Sequence, residues 1–402
     1  MAVNLATREL RNNPYPTYQH LRKNEPLATM QHTLFGKSYL ITRYVDAAQV
    51  FKDPRFTNDR RKVKEGTSVI ERMMPKIMVT FQSQMLSVDD PDHRRQRDLV
   101  HKAFTPRMIE QMAAKMEGIS NGLLDKMGTK PVADLVGEYA LQVPLTVISD
   151  MMGVPLKDRE KFHHWSAAFL EGISSLGWRT IFQLPTMYRM VQFFRRLIDL
   201  RTTDPQDDLI TGLVRAEQDG DRLSQDELVS MIFLLLLAGH ETTVNLIANG
   251  TLAFLEHPDQ LQKLKANPAL MDSAIEEILR YTNPVEQIAP RWVLEDVELH
   301  GQVIPRGSTI LVSTASANRD DTAFDKPDTF DIERTPNKHL AFGLGIHYCL
   351  GAPLARLEGK IALNALLNRY PDLQLALQPD QLQWRGAVNV RGLKALPVKL
   401  NG

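Results

Sequence analysis

A single thiol is the strongest chemical lead in this chain. In "FGLGIHYCLG", residues 342–351, Cys349 is the only cysteine among 402 residues. The following "LGAPLARLEGKIALNALLNRYP" sets Leu350, Leu354, Leu357 and Ile361 at helical spacing, which places the thiol at or just before a helix N-terminus. There the helix dipole and free N–H groups stabilise a thiolate and lower its pKa. Gly343, Gly345 and Gly351 let the backbone turn tightly and approach a flat ligand. An inert buried thiol is the commoner fate of a lone cysteine. A Cys/His nucleophile is the other chemical option, but His347 lies only two residues away in a glycine-rich loop, whereas such pairs assemble from distant segments.

A second lead is "AGHETTVNLIANG", which puts His240, Glu241, Thr242, Thr243 and Asn245 directly after an apolar run. From Leu228 to Gly239 only Ser230 is polar, so this run is expected to be buried on every face, and at twelve residues it is too short to span a bilayer. Burying the polar groups that follow without partners costs roughly 2–7 kcal/mol each. Ala238 and Thr242 share a face and leave room for a small ligand beside a hydroxyl. Gly239 and a Thr hydroxyl bonded to the carbonyl four residues earlier would bend the helix here. A polar patch at a packing defect is the plainer reading.

These residues need a scaffold. Ser224 and Glu227 have capping-box spacing, and the helix they open runs to about Glu256, roughly 33 residues and 50 Å. Helices are also expected over 108–127 and from Met271 to Tyr281, the latter closed by "TNP". "LATMQHTLFGKSYLITRY", from Leu27, and "VELHGQVIPRGSTILVSTA", from Val297, each read as short strands around a Gly-containing turn. The expected class is mainly α with small β-sheets, in one domain spanning 1–402.

Together Phe342, Gly343, Gly345, His347, Cys349 and Gly351 spell F-G-x-G-x-H-x-C-x-G, which resembles the haem-ligand signature of the cytochrome P450 family. "AGHETT" at 238–243 is similar to that family's oxygen-activating helix, and "EILR" at 277–280 supplies its E-x-x-R. "DPDHRRQRDLVHKAFTPR", "RWVLEDVELHG", "ANRD" and "FDIER" resemble segments of the soluble bacterial members, nearest those acting on polyketides, macrolides and fatty acyl chains. The resemblance implies the P450 fold, with haem b between the long central helix and the cysteine-loop helix.

It further implies that Cys349 is the axial thiolate of the haem iron, with Phe342 shielding the sulfur and Ala238 beside the cofactor. His93, Arg97, Arg291 and His347 match the positions that bind the haem propionates. Glu241 and Thr242 match the acid and alcohol pair that relays protons during activation of the co-substrate dioxygen. His240 is given no role. Glu277 and Arg280, read alone, are an ordinary surface ion pair. The resemblance makes them a buried structural pair linked to Arg334. For the substrate pocket the matching stretches offer Met73, Met74, Met78, Met85, Phe182, Met187, Leu235, Val285, Ile288, Ala289 and Val390. Such a wall suits a flexible apolar molecule, although any one of these methionines is as readily a core filler.

The implied activity is that of a monooxygenase hydroxylating or epoxidising an apolar small molecule: a fatty acyl chain, polyketide or macrolide, terpenoid or steroid. Electrons would come from a ferredoxin or flavodoxin with its NAD(P)H-dependent reductase; Lys338, Arg94 and Arg95 are candidates for a basic docking patch, with solvated surface charges the plainer reading. A peroxygenase, a haem-binding sensor and a haem-free helical binding module are the rivals. Lys plus Arg and Asp plus Glu both total 48, which offers no argument for nucleic acid or a charged membrane surface. The start "MAVNLATRELRNNPYP" has no basic segment followed by an apolar run, so no membrane anchor and a cytoplasmic location are expected; a monomer is the default expectation.

Overall fold

The structure is a computed structural model that describes residues 3–4, 7–30, 38–63, 84–162, 164–165, 179–217, 220–385 and 389–401. Its principal helices are α1 Tyr15–Asn24, α2 Tyr44–Lys52, α3 Asp92–Ala103, α4 Pro106–Gln111, α5 Ala113–Met127, α6 Gln142–Met151, α7 Arg179–Thr203, α8 Leu209–Arg215, α9 Gln225–Glu256, α10 Pro258–Ala266, α11 Met271–Thr282 and α12 Ala352–Arg369. The strands are β1 Leu27–Met30, β2 Ser38–Ile41, β3 Phe56–Thr57, β4 Val132–Asp134, β5 Ile288–Val293, β6 Val297–Leu299, β7 Gln302–Ile304, β8 Thr309–Val312, β9 Gln374–Leu375 and β10 Pro397–Lys399. The expected single helix over 108–127 is instead α4 and α5, separated at Met112, whose N–H bonds Ile109 O at 3.1 Å in a tighter turn.

The chain divides into two compact units. The first comprises 1–64, 113–143 and 242–402 and contains every strand found among the described residues. Its five-stranded sheet has the order β1-β2-β8-β5-β3. β1 and β2 form the expected antiparallel pair, but β2 then runs parallel to β8, with Ser38 opposite Thr309 and Ile41 opposite Val312. β6 and β7 turn through His300 (φ 52°) and Gly301 (φ 71°), the left-handed pair that a two-residue hairpin requires. Leu27, Tyr39, Ile41, Phe51, Phe56, Val293, Ile310 and Val312 are among the apolar core residues on one side of the large sheet. On the helical side, α12 packs against α5, where the Tyr370 hydroxyl donates to Leu124 O at 2.8 Å. Gly359 lets α12 close on Leu246 of α9, since a Cβ there would lie 2.8 Å from its Cδ2.

The second unit comprises 65–112 and 144–241. In it α8 packs against α3 and α7. An aromatic cluster links Phe162 to Phe194 and Phe194 to Phe233, with ring centroids 6.1 and 5.4 Å apart. The expected capping box is formed: Ser224 N and Oγ donate to Glu227 Oε2 at 2.8 and 2.9 Å, and Glu227 N donates back to Ser224 Oγ at 3.3 Å. Helix α9 starts one residue later and ends at Glu256. Its most apolar stretch is two-thirds buried within the chain, the signature of a core helix.

Candidate active site

The cysteine loop is built by its own backbone. Cys349 N donates to Phe342 O at 3.0 Å and Tyr348 N to Gly345 O at 3.1 Å, closing a short turn over Gly345–His347. Gly345 has φ 76°, and a Cβ on it would lie 2.6 Å from Phe51 O at the end of α2. No other residue seats this turn there without strain. Cys349 precedes α12 by three residues, with Gly351 as the N-cap, and a Cβ on Gly351 would lie 4.0 Å from its Sγ. The sulfur therefore sits over the first turn of α12, where N–H groups and dipole favour its charged form.

Phe342 is held from behind by a network that sequence reasoning did not find. The Arg356 guanidinium lies 4.6 Å above the Phe342 ring. Arg356 also forks onto Glu276, Nε to Oε1 at 2.6 Å and Nη2 to Oε2 at 2.9 Å, while His339 Nε2 meets the same carboxylate at 3.1 Å. Burial alone would raise the Glu276 carboxyl, but Arg356 and His339 outweigh it and hold the pKa down to about 2. No local sequence signal links residues 276, 339 and 356.

Helix α9 departs from the uniformly buried rod expected over 228–239. Leu236, His240, Thr243 and Val244 are buried, yet Leu235 and Leu237 are partly exposed, Ala238 is exposed, and Glu241 and Thr242 are partly exposed. Leu235, Ala238 and Thr242 are three and four residues apart and share one face, so an apolar helix presents an open stripe ending in a hydroxyl. Thr243, one position round, bonds Glu358 of α12. Complete burial pushes that carboxyl up to about 8 despite the Thr243 bond.

Of the residues matched to propionate binding, Arg291 is buried on β5, with Nη1 donating to Val50 O at 3.1 Å and its guanidinium 5.4 Å above Phe51. His347 is half-buried in the cysteine loop. In the second unit His93 is buried on α3, with Nδ1 3.5 Å from Asp90, and Arg97 is partly exposed one turn on. Within the first unit the donors fit a haem: one thiolate-competent sulfur on a glycine loop, and in Arg291 a buried guanidinium of the kind its carboxylates require.

Glu277 and Arg280 are fully buried and joined by two bonds of 2.8 Å, and Arg334 Nε donates to Glu277 at 3.1 and 3.2 Å. Among the pocket residues, Val285 and Val390 meet in an isolated antiparallel bridge. Ile288 and Ala289 are partly exposed where β5 slips register against β8. Met85 and Met187 are buried. Met73, Met74, Met78 and the Phe182 side chain lie outside the described residues. Of the expected docking cations, Lys338 and Arg94 are exposed, but Arg95 is taken up by Asp221 and Glu227.

Comparison with known proteins agrees with this geometry. The family model described as "Cytochrome P450" matches residues 62–384. "Polyketide biosynthesis cytochrome P450 PksS" of Bacillus subtilis (strain 168) is 44% identical over 397 residues, 98% of this chain and 97% of that protein. The solved structure of Bacillus subtilis PksS, from the bacillaene polyketide synthase, superposes with a TM-score of 0.93 at 42% identity over all of both chains. The crystal structure of P450BioI in complex with acyl carrier protein bearing hexadec-9Z-enoic acid gives a TM-score of 0.87 at 36% identity, covering 97% of this chain and 99% of that one.

Proposed function

From the premise that this chain belongs to the cytochrome P450 family, and is therefore a haem-thiolate monooxygenase using dioxygen, we propose that it hydroxylates or epoxidises an aliphatic polyketide or fatty acyl chain with electrons from separate redox proteins. Cys349, its one cysteine, is the sulfur it offers to iron. When bound, the haem supplies reductive activation of dioxygen and insertion of one oxygen atom into a substrate bond. The chain supplies the surroundings. Phe342 and the backbone N–H groups ahead of α12 limit water at the sulfur and hold it as thiolate. Arg291 and His347, with His93 and Arg97, are assigned to the propionates. Thr242, on the open stripe of α9, holds a hydroxyl where protons are needed, and Glu241 precedes it as the acid.

The substrate class rests on the aliphatic surface that Val285, Val390, Ile288 and Ala289 present within the first unit. It has few polar atoms with which to orient a polar molecule. PksS is named for polyketide biosynthesis and P450BioI is seen with a fatty acyl chain on its carrier, both extended apolar chains. The position of Cys349 at the N-terminus of α12 carries the proposal. Absorption spectra of the reduced protein under carbon monoxide test it, with wild type beside Cys349→Ser. A strongly red-shifted Soret band in wild type alone is expected, followed by a spin-state shift with long-chain acyl probes. A band independent of Cys349 would remove the reading, and a spin shift confined to polar compounds would remove the substrate class.

A further inference from the structure

The face of α9 that carries Thr242 continues as asparagine. Asn245 and Asn249 lie three and seven residues beyond it, within about 60° of the same direction at 100° per residue. Both are buried, Asn245 to 1% exposure and Asn249 to 2%. Neither Oδ1 nor Nδ2 of Asn245 has a hydrogen-bond partner, and Asn249 donates through Nδ2 to Arg391 O at 2.8 Å but leaves Oδ1 unbonded. Three orphaned amide atoms one turn apart are costly, about 1–3 kcal/mol for each unsatisfied group. Buried polar groups in folded proteins are bonded to protein or to ordered water.

The spacing suits water. Side chains three or four apart on a helix have Cβ atoms roughly 5–6 Å apart, a gap that one bridging water closes. Gly392 lies against Asn245 so closely that a Cβ on it would sit 1.9 Å from Oδ1, which walls the row on that side. At its far end Asn249 reaches a solvent-open cleft of about 510 Å³, lined also by Leu252, Ala253 and Glu256 of α9 and by Trp384 and Arg391.

We propose that Asn245 and Asn249 hold a file of waters along α9 that brings protons from this cleft to the Thr242 hydroxyl. The proposal rests on the role given to Thr242 above. In each transfer one O–H bond of a water breaks as another forms at its neighbour. Bulk water supplies a proton at the cleft as one is released at Thr242, and the amides orient the waters without titrating. Asn245 and Asn249 are thus positioning residues. The route differs from one through Glu241, which lies about 100° round the helix from Thr242.

The test uses the haem-loaded protein with hexadec-9Z-enoic acid as probe, comparing wild type, Asn245→Leu, Asn249→Leu, Asn245→Ser and Thr242→Ala. The Leu variants should keep the reduced carbon monoxide band and probe affinity. Their product formed per NAD(P)H should fall about tenfold, less than the roughly 10²–10⁴-fold of a group that itself transfers the proton, with hydrogen peroxide making up the difference and a changed D2O effect on turnover. Asn245→Ser, which leaves room for water, should restore coupling. A high-resolution crystal structure should place ordered waters on Asn245 and on Asn249 Oδ1, and their absence overturns the file whatever the kinetics. If Thr242→Ala uncouples the enzyme and the Leu variants do not, the file is wrong and the Thr242 assignment stands. If Thr242→Ala stays coupled, the Thr242 assignment itself falls.

Discussion

Replacing Glu277 by Ala removes the acceptor on which five donors converge: Arg280 Nε and Nη2, Arg334 Nε, the Asp331 N–H and Asn337 Nδ2, at 2.8–3.2 Å. Arg280 is fully buried and Arg334 nearly so, so the change leaves a buried positive charge without its counter-ion. Breaking such a pair costs about 3–5 kcal/mol. With an unfolding entropy of about 2.1 cal/mol/K per residue, a 402-residue chain loses about 0.84 kcal/mol of stability per degree near its midpoint. The expected fall in Tm is therefore about 4–6 °C. It is read by calorimetry of the haem-loaded protein, with the carbon monoxide band reporting retained cofactor. Glu277→Gln separates charge from hydrogen bonding, because the amide keeps one acceptor oxygen but loses the charge. If the stranded guanidinium dominates, Glu277→Gln should lose nearly as much as Glu277→Ala. A Gln variant that melts with wild type would refute the electrostatic account, and an Ala variant within about 1 °C of wild type would refute the network's importance altogether.

Two further perturbations are decided by local geometry. Glu358 keeps its proton in the folded chain up to about pH 8 but ionises near 4.5 when unfolded. Folding therefore takes up a proton between those values, and stability declines as pH rises from about 4.5 to 8. Glu358→Gln should flatten that decline, gaining Tm over wild type at pH 8 and losing the advantage by pH 5; parallel curves for the two proteins would contradict the burial argument. Gly345→Ala asks a side chain to adopt φ 76° and to enter the 2.6 Å gap at Phe51 O. The strain is about 1–3 kcal/mol, and the fraction of purified protein carrying haem should drop, whereas Gly118→Ala, in open helical surroundings, should not change it.

The parts legible in the sequence were those whose cause is local. The ends of α9 followed from a capping box and an apolar run, and the cysteine loop from glycines spaced around one thiol. The break between α4 and α5 at Met112 was not legible, because apolar residues continue at helical spacing straight through it. Nor was the parallel pairing of β2 with β8, whose residues are some 270 apart in sequence. At the site, Ala238 was read both as part of a buried run and as leaving room for a ligand, and it is exposed: an apolar side chain by itself carries no mark of whether protein or a ligand is to cover it. The Glu276–Arg356–His339 support of Phe342 stayed hidden for the opposite reason, since charged residues on helix surfaces are ordinary until the fold brings them together. Asn245 and Asn249 did leave a trace, a period of three and four continuing from Thr242.

The order of strands in the large sheet bears on how this chain is made. β1, β2 and β3 lie within the first 57 residues, while their partners β5 and β8 span 288–312. At ribosomal rates of about 5–20 residues per second, the N-terminal strands wait roughly 14–54 s for the strand that completes them. During that time β2, all four of whose residues end up buried, has β1 on one side and an unmet row of backbone donors and acceptors on the other. Slower translation lengthens that exposure. Slowing synthesis of the stretch between β2 and β8 should therefore lower the yield of folded chain, and speeding it should raise that yield.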